Sequence, residues 1–366
     1  MMISKIHKYI SLSLLAVWLL QATTGVANVF HREIDASLLD GGSTSFDEVA
    51  FSRKIDELQS SGLRGRISSI FASGGNAAHF DVFVHTATDG LHVLRVDGQG
   101  NVLREQPWAI DFARSGVLLS MRLIHESLFL GDNARIFIGL SGIFLLTNLV
   151  LGIRLAWPVK GTWGAALKAR APARADLRLR AFHRATGLII AVPLLITVAA
   201  GVGVAFTGPL ESIIGDPAQV TGLSGLENAQ SDEPWVPLGS AILAARKSYP
   251  DARLSTIRMP DKAHPYYAIT LLQHGDMRRV FGKTTMYVNA TSAEVLARHD
   301  VSSRPLKNRI VDAFYAVHTG EAAGLAGRIV ALLCGVSLIV MITLGLSLWL
   351  NREIRRRRRR IGARAD

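Results

Sequence analysis

Four uncharged apolar runs interrupt this chain, at residues 10–30, 136–153, 185–210 and 329–351. Each reaches the roughly 18 to 25 residues that a helix needs to cross the hydrocarbon core of a bilayer. The pattern therefore predicts four transmembrane helices. Between the first and second runs the periodicity changes. Residues 46–62 place apolar side chains at helical spacing, and alternation follows in 79–84 and 91–96. Thr88-Asp89-Gly90 and Gly98-Gln99-Gly100-Asn101 read as hairpin turns. Between the third and fourth runs, 238–249 reads as a helix closed by Pro250, and 266–272 and 285–288 as strands. Both polar stretches are helix-then-meander α+β modules.

Composition agrees with the pattern. Of 366 residues, 49% are hydrophobic and 19% charged, where a soluble domain carries about a quarter charged residues. A soluble enzyme is excluded. An all-membrane transporter is excluded too, because about half of the chain lies between the spans.

The net charge of +12 would suggest nucleic acid if it were evenly spread. It is not. Lys5 and Lys8 precede the first run, residues 154–184 hold eight Lys or Arg against Asp176, and eight Arg follow the fourth run. By contrast, 35–133 carries eight basic and thirteen acidic residues, and 211–327 carries twelve of each. Positive charge marks the cytoplasmic side. Both termini are expected inside a bacterial inner membrane and both polar stretches in the periplasm. The cluster at 355–360 beside a span fits anionic lipid headgroups better than nucleic acid, so no nucleic-acid partner is expected. The single cysteine, Cys334, allows no disulfide within the chain and no covalent haem attachment.

The chain also repeats itself at two constant offsets. Moved by 176 positions, His7-Lys8 falls on His183-Arg184, Gly25-Val26 on Gly201-Val202, Phe30 on Phe206 and Asp35 on Glu211. Moved by 193, His125 falls on His318, Gly131 on Gly324, Arg135 on Arg328, Gly142 on Gly335 and Gly152 on Gly345. This indicates a duplicated unit whose outer segment grew by seventeen residues. Each unit begins and ends inside, so the two are parallel repeats about an axis along the membrane normal. Lys5, Lys8 and Gly25-Val26-Ala27 would also suit a cleavable signal peptide. The first run, however, has a partner in mid-chain, and a retained anchor is expected.

The expected division is a first span in 1–34, a first periplasmic α+β domain in 35–118, and a His-bearing interfacial segment with the second span in 119–157. A basic cytoplasmic loop in 158–182 and a third span in 183–210 follow. The second periplasmic domain occupies 211–306, the second His-bearing segment and fourth span 307–351, and an Arg-rich cytoplasmic tail 352–366.

The unit has a His opening its first span and a small helix-plus-sheet outer domain. It then has His318-Thr319-Gly320-Glu321-Ala322-Ala323-Gly324-Leu325-Ala326-Gly327-Arg328 before a span ending Leu344-Gly345-Leu346-Ser347-Leu348-Trp349. This resembles the PepSY-associated transmembrane helix family over nearly the whole chain. The resemblance implies a membrane α-helical fold of four transmembrane helices in two parallel repeats, with two periplasmic PepSY-like α+β domains. It also implies a link to iron uptake, since the family includes haem-containing ferric-siderophore reductases. In this chain the first unit keeps only His125, Gly131 and Arg135 of the His-to-Arg motif. Val288-Asn289-Ala290-Thr291-Ser292 stands where such modules usually show an acid, a proline and a glycine.

The histidines then read as chemistry. Imidazole is the usual axial ligand of b-type haem in helical bundles, where facing helices aim two ring nitrogens at one iron. Four of the eleven histidines repeat in register. His7 and His183 sit just inside the cytoplasmic ends of the odd-numbered spans, and His125 and His318 just outside the even-numbered ones. Two bis-His sites, one near each membrane face, follow from the repeat, with the four imidazoles as axial ligands of two non-covalent b-haems. Ser11 and Gly187 lie four residues further along the same helical face, where small residues leave room for a flat macrocycle. Gly25 and Gly201 lie eighteen residues on, five turns of a straight helix. Arg135 and Arg328 follow the outer histidines by ten residues, where a guanidinium can pair with haem propionates. His31, whose repeat partner is Thr207, is either a substitute ligand at the outer site, an electron-pathway residue or an interfacial histidine.

Plainer roles exist for all of these. Histidines at a membrane edge snorkel, and glycines serve helix packing in lipid. No G-x-G-x-x-G after a strand, no Walker motif and no carboxylate within the four runs is present. Electrons must therefore come from a separate donor, a quinol or a cytoplasmic reductase. The reading is an inner-membrane di-haem protein with no catalytic side chain of its own, reducing ferric siderophore in the periplasm. The rivals are a non-enzymatic accessory subunit that binds peptides or partner proteins, and a siderophore permease.

Overall fold

The computed structural model describes residues 2–39, 41–43, 45–62, 64–74, 78–86, 90–113, 116–167, 175–215 and 234–362. In chain order the first half holds α1 (Met2–Ser13), α2 (Leu15–Asn28), α3 (His31–Ser37), α4 (Glu48–Ser61), β1 (Arg66–Ala72), β2 (Phe80–Thr86), β3 (Gly90–Val96), β4 (Val102–Pro107), α5 (Val117–Ser127) and α6 (Asp132–Ala156). The second half holds α7 (Trp163–Leu167), α8 (Ala175–Ala205), α9 (Thr207–Ile214), α10 (Leu238–Arg246), β5 (Arg253–Arg258), β6 (Tyr266–Leu272), β7 (Thr284–Asn289), β8 (Val295–His299), α11 (Leu306–Thr319) and α12 (Gly324–Gly362). Two compact units result. A helical unit comprises Met1–Val29, Met121–Thr207 and Phe314–Asp366, and a sheet unit comprises Phe30–Ser120 and Gly208–Ala313.

The sheet unit departs from the expectation of two separate modules. Its eight strands form one antiparallel sheet in the order β4-β3-β2-β1-β5-β6-β7-β8. β1 and β5, which the alternation pattern did not reveal, pair Ser69 with Arg258, Ile70 with Ile257 and Phe71 with Thr256. The physical reason is that each meander alone would leave the edge of its first strand unpaired, and joining the two satisfies both edges. One core then serves both halves. Phe51 and Ile55 of α4, and Ala241 and Ile242 of α10, pack on Ile70, Val82, Ile257 and Ile269 of the sheet.

Local chemistry sets the elements. The Asp47 carboxylate accepts from the Ala50 amide at 3.0 Å to open α4, and Gly62 closes that helix at φ +61°. The β3–β4 turn is built around Asp97, whose carboxylate accepts from the amides of Ser43, Gln99 and Asn101. Thr88 and Asp89 of the other expected turn lie outside the described residues.

In the helical unit, α6, α8, and α12 with the short turn before it provide stretches long and apolar enough to cross a membrane, at Asn133–Ala156, Leu177–Ala205 and Glu321–Arg358. The first expected span is not one helix. α1 and α2 meet that test only together, and they bend by 65° at Leu14. Ser11 lies one turn before the bend. Its hydroxyl donates to the His7 carbonyl at 2.7 Å, one turn back, a back-bond that bends helices. α8 carries its own perturbation at the matching level. Pro193 cannot donate to the Ile189 carbonyl, and Ile189 is the equivalent of Ser13 under the 176 offset.

Candidate functional site

The two offsets reappear as contacts in space. Gly142 of α6 meets Val202 of α8, and Gly335 of α12 meets Val26 of α2; a Cβ on either glycine would stand 2.7 or 2.6 Å from the valine Cγ2. Gly142 and Gly335 are equivalent residues, and so are Val202 and Val26. The absent side chains let the backbones approach, as helix packing in lipid favours.

Each repeated histidine lies over a repeated glycine. A Cβ built on Gly25 would stand 3.0 Å from His125 Cε1, and one on Gly201 2.7 Å from His318 Cε1. At the other end of the unit, Gly152 faces His7 Cε1 at 3.2 Å and Gly345 faces His183 Cε1 at 3.6 Å by the same measure. The imidazoles occupy volume that any larger residue would fill.

Three of the four rings are also held by one nitrogen. His125 Nδ1 bonds the Gln21 carbonyl at 3.1 Å and His318 Nδ1 the Thr197 carbonyl at 2.9 Å. Gln21 and Thr197 are equivalent, and each stands four residues before its glycine. His7 Nδ1 bonds the Asn148 carbonyl at 3.1 Å. His183 addresses the carbonyl of Met341, the equivalent of Asn148, without closing a full hydrogen bond. A backbone carbonyl can only accept, so it fixes the proton on Nδ1 and leaves Nε2 as the nitrogen with a lone pair to offer. This is the second-shell arrangement typical of metal-ligating histidine.

The outer pair meets directly. The His125 and His318 ring centroids are 6.0 Å apart with planes 19° from parallel. Two imidazoles sharing one metal ion, each nitrogen ~2 Å from it, would be separated by a comparable distance. The residues present fit a bis-imidazole iron. His183 lies within electrostatic reach of His7. Among the described residues no group of three or more His, Cys, Asp or Glu is placed to hold a metal ion, so pairs are the available ligand sets.

The family described as the PepSY-associated TM region matches residues 4–352. The chain belongs to that family, and is a membrane protein. No curated protein matches it.

Within this PepSY-associated chain the remaining expected site residues are distributed as follows. Arg328 is buried and donates to the Val29 carbonyl at 2.8 Å, whereas Arg135 is exposed near the start of α6. His31 opens α3 in the sheet unit, just as its equivalent Thr207 opens α9. Ser11 and Gly187 do not border open space. Ser11 Oγ accepts from Asn148 Nδ2 at 2.9 Å, and a Cβ on Gly187 would stand 3.0 Å from Met341 Cε. Both are helix-crossing contacts, and they are equivalent ones. His7 and Gly25 do not share the face of one straight helix either, because the 65° bend lies between them.

The His-to-Arg motif owes its glycines to a close approach. A Cβ on Gly320 would fall 2.3 Å from the Gly327 carbonyl oxygen, and one on Gly327 2.2 Å from that of Gly320. Gly320 also has φ +78°. The first half turns without such glycines, and Leu128 and Phe129 take left-handed φ values of 49° and 56° instead.

Sequence reasoning missed the carbonyls of Gln21, Thr197, Asn148 and Met341, because a backbone acceptor carries no side-chain signal. The offsets alone could have revealed them as two equivalent pairs. In the sheet unit, Asp35 of α3 accepts from both terminal nitrogens of Arg104, at 2.7 and 3.0 Å, and pairs with Arg95 at 2.7 Å. Burial alone would raise the Asp35 carboxyl. The Arg104 and Arg95 guanidinium groups more than reverse this and hold it below the usual range.

Proposed function

We propose that this PepSY-associated membrane protein has four spans in two parallel repeats, holds two non-covalent b-haems, and reduces a ferric siderophore or other ferric chelate in the periplasm. The observation that supports it most is the outer pair. His125 and His318 lie close together, with each Nδ1 engaged by a backbone carbonyl, so that their Nε2 atoms would be free to hold a haem iron. His7 and His183, with their equivalent glycines, repeat the plan for an inner site.

Haem held by these pairs would supply one-electron transfer at two levels of the membrane. The chain's own residues do the rest. The carbonyls of Gln21, Thr197 and Asn148 orient three of the rings, the four glycines admit all four, and Arg135 and Arg328, ten residues after the outer histidines, would offer positive charge to carboxylates of the cofactor or chelate. Each ferric ion takes one electron and becomes ferrous, which hard oxygen chelators hold more weakly, so reduction is release. The bulky hydrophilic chelate stays outside the hydrocarbon layer, and the outer pair is therefore the side that serves it.

The distribution of Lys and Arg supports an inner-membrane placement with both termini and residues 154–184 in the cytoplasm. Five arginines of the tail (Arg355, Arg356, Arg357, Arg358 and Arg360) are exposed on the last turns of α12, suited to anionic lipid headgroups. A non-enzymatic accessory subunit is the second reading. It is favoured by the edges β4 and β8, which end the sheet and leave backbone groups for an added strand.

The test is reoxidation. Detergent-purified protein reduced with dithionite and mixed with a ferric siderophore should reoxidise and release ferrous iron to a trapping agent, and His318→Ala should abolish this. Reoxidation that survives His318→Ala unchanged would reject the reductase reading in favour of the accessory one.

A further inference from the structure

The first turns of α11 are inside out for a helix in water. Asn308 is 1% exposed and donates to the Gly215 carbonyl at 2.9 Å, and Asp312 pairs with Arg304 and Lys283. Leu306 and Ile310, one turn apart on the opposite face, are 70% and 51% exposed, with exposed Arg309 beside them. Asn308 and Lys307, whose ammonium donates to the Ile214 carbonyl, fasten this helix to the end of α9. There Ile213 is 80% exposed. Polar groups are turned inward at this junction and large apolar ones outward, the reverse of what an aqueous surface selects.

Chain continuity supplies the partner. α9 opens two residues after Ala205, which ends the membrane-length stretch Leu177–Ala205, and Ile213 lies eight residues past it, about 12 Å of helix path. The headgroup layer on each side of the hydrocarbon is roughly 5–8 Å thick, so the junction is within reach of the bilayer surface. The same elements repeat the feature in the first half of the chain. Ile34 and Leu38, in and just after α3, are exposed, and so is Phe112, shortly before α5. α3 follows α2 as α9 follows α8, and α5 carries His125 as α11 carries His318. A protein partner would meet one of these places, whereas lipid surrounds both.

We propose that these short helices rest on the bilayer surface, with Ile213, Leu306 and Ile310 of one repeat and Ile34, Leu38 and Phe112 of the other entering the boundary between headgroups and acyl chains. Arg309 sits at the level of the lipid phosphates, its stem along the apolar surface and its guanidinium outward. His318 lies eight residues beyond Ile310 on the same helix, so the lipid surface sets the depth of the helix that carries it. The inference rests on the membrane character of the family and is independent of whether the histidines hold haem.

The experiment places a nitroxide spin label on the full chain in nanodiscs of phosphatidylcholine and phosphatidylglycerol. Ile213→Cys, Leu306→Cys and Phe112→Cys are labelled one at a time; Cys334 is buried, and the unsubstituted chain gives the background. Power saturation then compares collisions with oxygen, which concentrates in lipid, and with a water-soluble nickel chelate. Leu243→Cys is the comparison, since Leu243 on α10 is a similarly exposed apolar residue remote in sequence from every span. The oxygen-to-nickel ratio should be severalfold higher at the three sites than at position 243. Should Leu306→Cys disturb the fold, Ile310→Cys reports on the same face. Ratios equal to that at 243 would place these residues in water and overturn the inference. So would low collision rates with both reagents, which would mean that protein covers them.

Discussion

Replacing the four histidine-facing glycines by alanine, one at a time, should produce a graded loss of haem. A new Cβ would stand 2.7 Å from His318 at Gly201, 3.0 Å from His125 at Gly25, 3.2 Å from His7 at Gly152 and 3.6 Å from His183 at Gly345. Carbon atoms rest at about 3.5–4.0 Å. The His318 ring must therefore retreat by ~1 Å, His125 by somewhat less and His7 by a few tenths of an ångström, while His183 need not move. Ligand positions tolerate shifts of about 0.5 Å, and overpacking of this kind costs about 1–3 kcal/mol. Gly201→Ala should then lower outer-site affinity roughly tenfold or more. Gly25→Ala should lower it less, Gly152→Ala should weaken the inner site slightly, and Gly345→Ala should be silent. The assay is the haem-to-protein ratio of detergent-purified variants, with thermal melts as a check on folding. If Gly345→Ala loses as much haem as Gly201→Ala, the imidazoles are not held against these glycines as ligands.

Other consequences reach the rest of the chain. Asp35→Asn leaves Arg95 and Arg104 without their shared carboxylate and should destabilise the sheet unit by about 3–5 kcal/mol at neutral pH, read as an earlier midpoint in thermal proteolysis of the solubilised chain. Because the folded Asp35 carboxyl is depressed, its stabilisation is complete above about pH 4 and is lost as pH falls through the lowered value, so wild type and variant should converge in acid. Gly327→Ala would set a Cβ 2.2 Å from the Gly320 carbonyl oxygen and should shift the His318 segment, seen as outer-haem loss with the inner haem retained. Reporter fusions at Gly98 and Ala290 should be active only for a periplasmic reporter, and a cytoplasmic signal at either would remove the assigned topology.

The membrane half was the most legible in the sequence, since charge-free runs and a two-offset duplication are long-range patterns that survive without contact information. His125 meeting His318 followed from that duplication. The bend at Leu14 did not, because the run 10–30 carries no proline or charge to mark a break. The sheet was half legible. β2, β3 and β6 alternate clearly, whereas β1 reads Arg-Ile-Ser-Ser-Ile-Phe-Ala and shifts register between Ile67 and Ser69. That irregularity hid the strand that joins the two meanders.

The most direct measurement is the visible spectrum of the detergent-purified protein, oxidised and dithionite-reduced, with haem quantified against protein. The account predicts two non-covalent haems per chain, both low-spin because imidazole fills both axial positions of each iron. His125→Ala or His318→Ala should remove one haem, and His7→Ala or His183→Ala the other. A protein without haem absorption, or a set of four variants that each lose both haems equally while remaining folded, would contradict it.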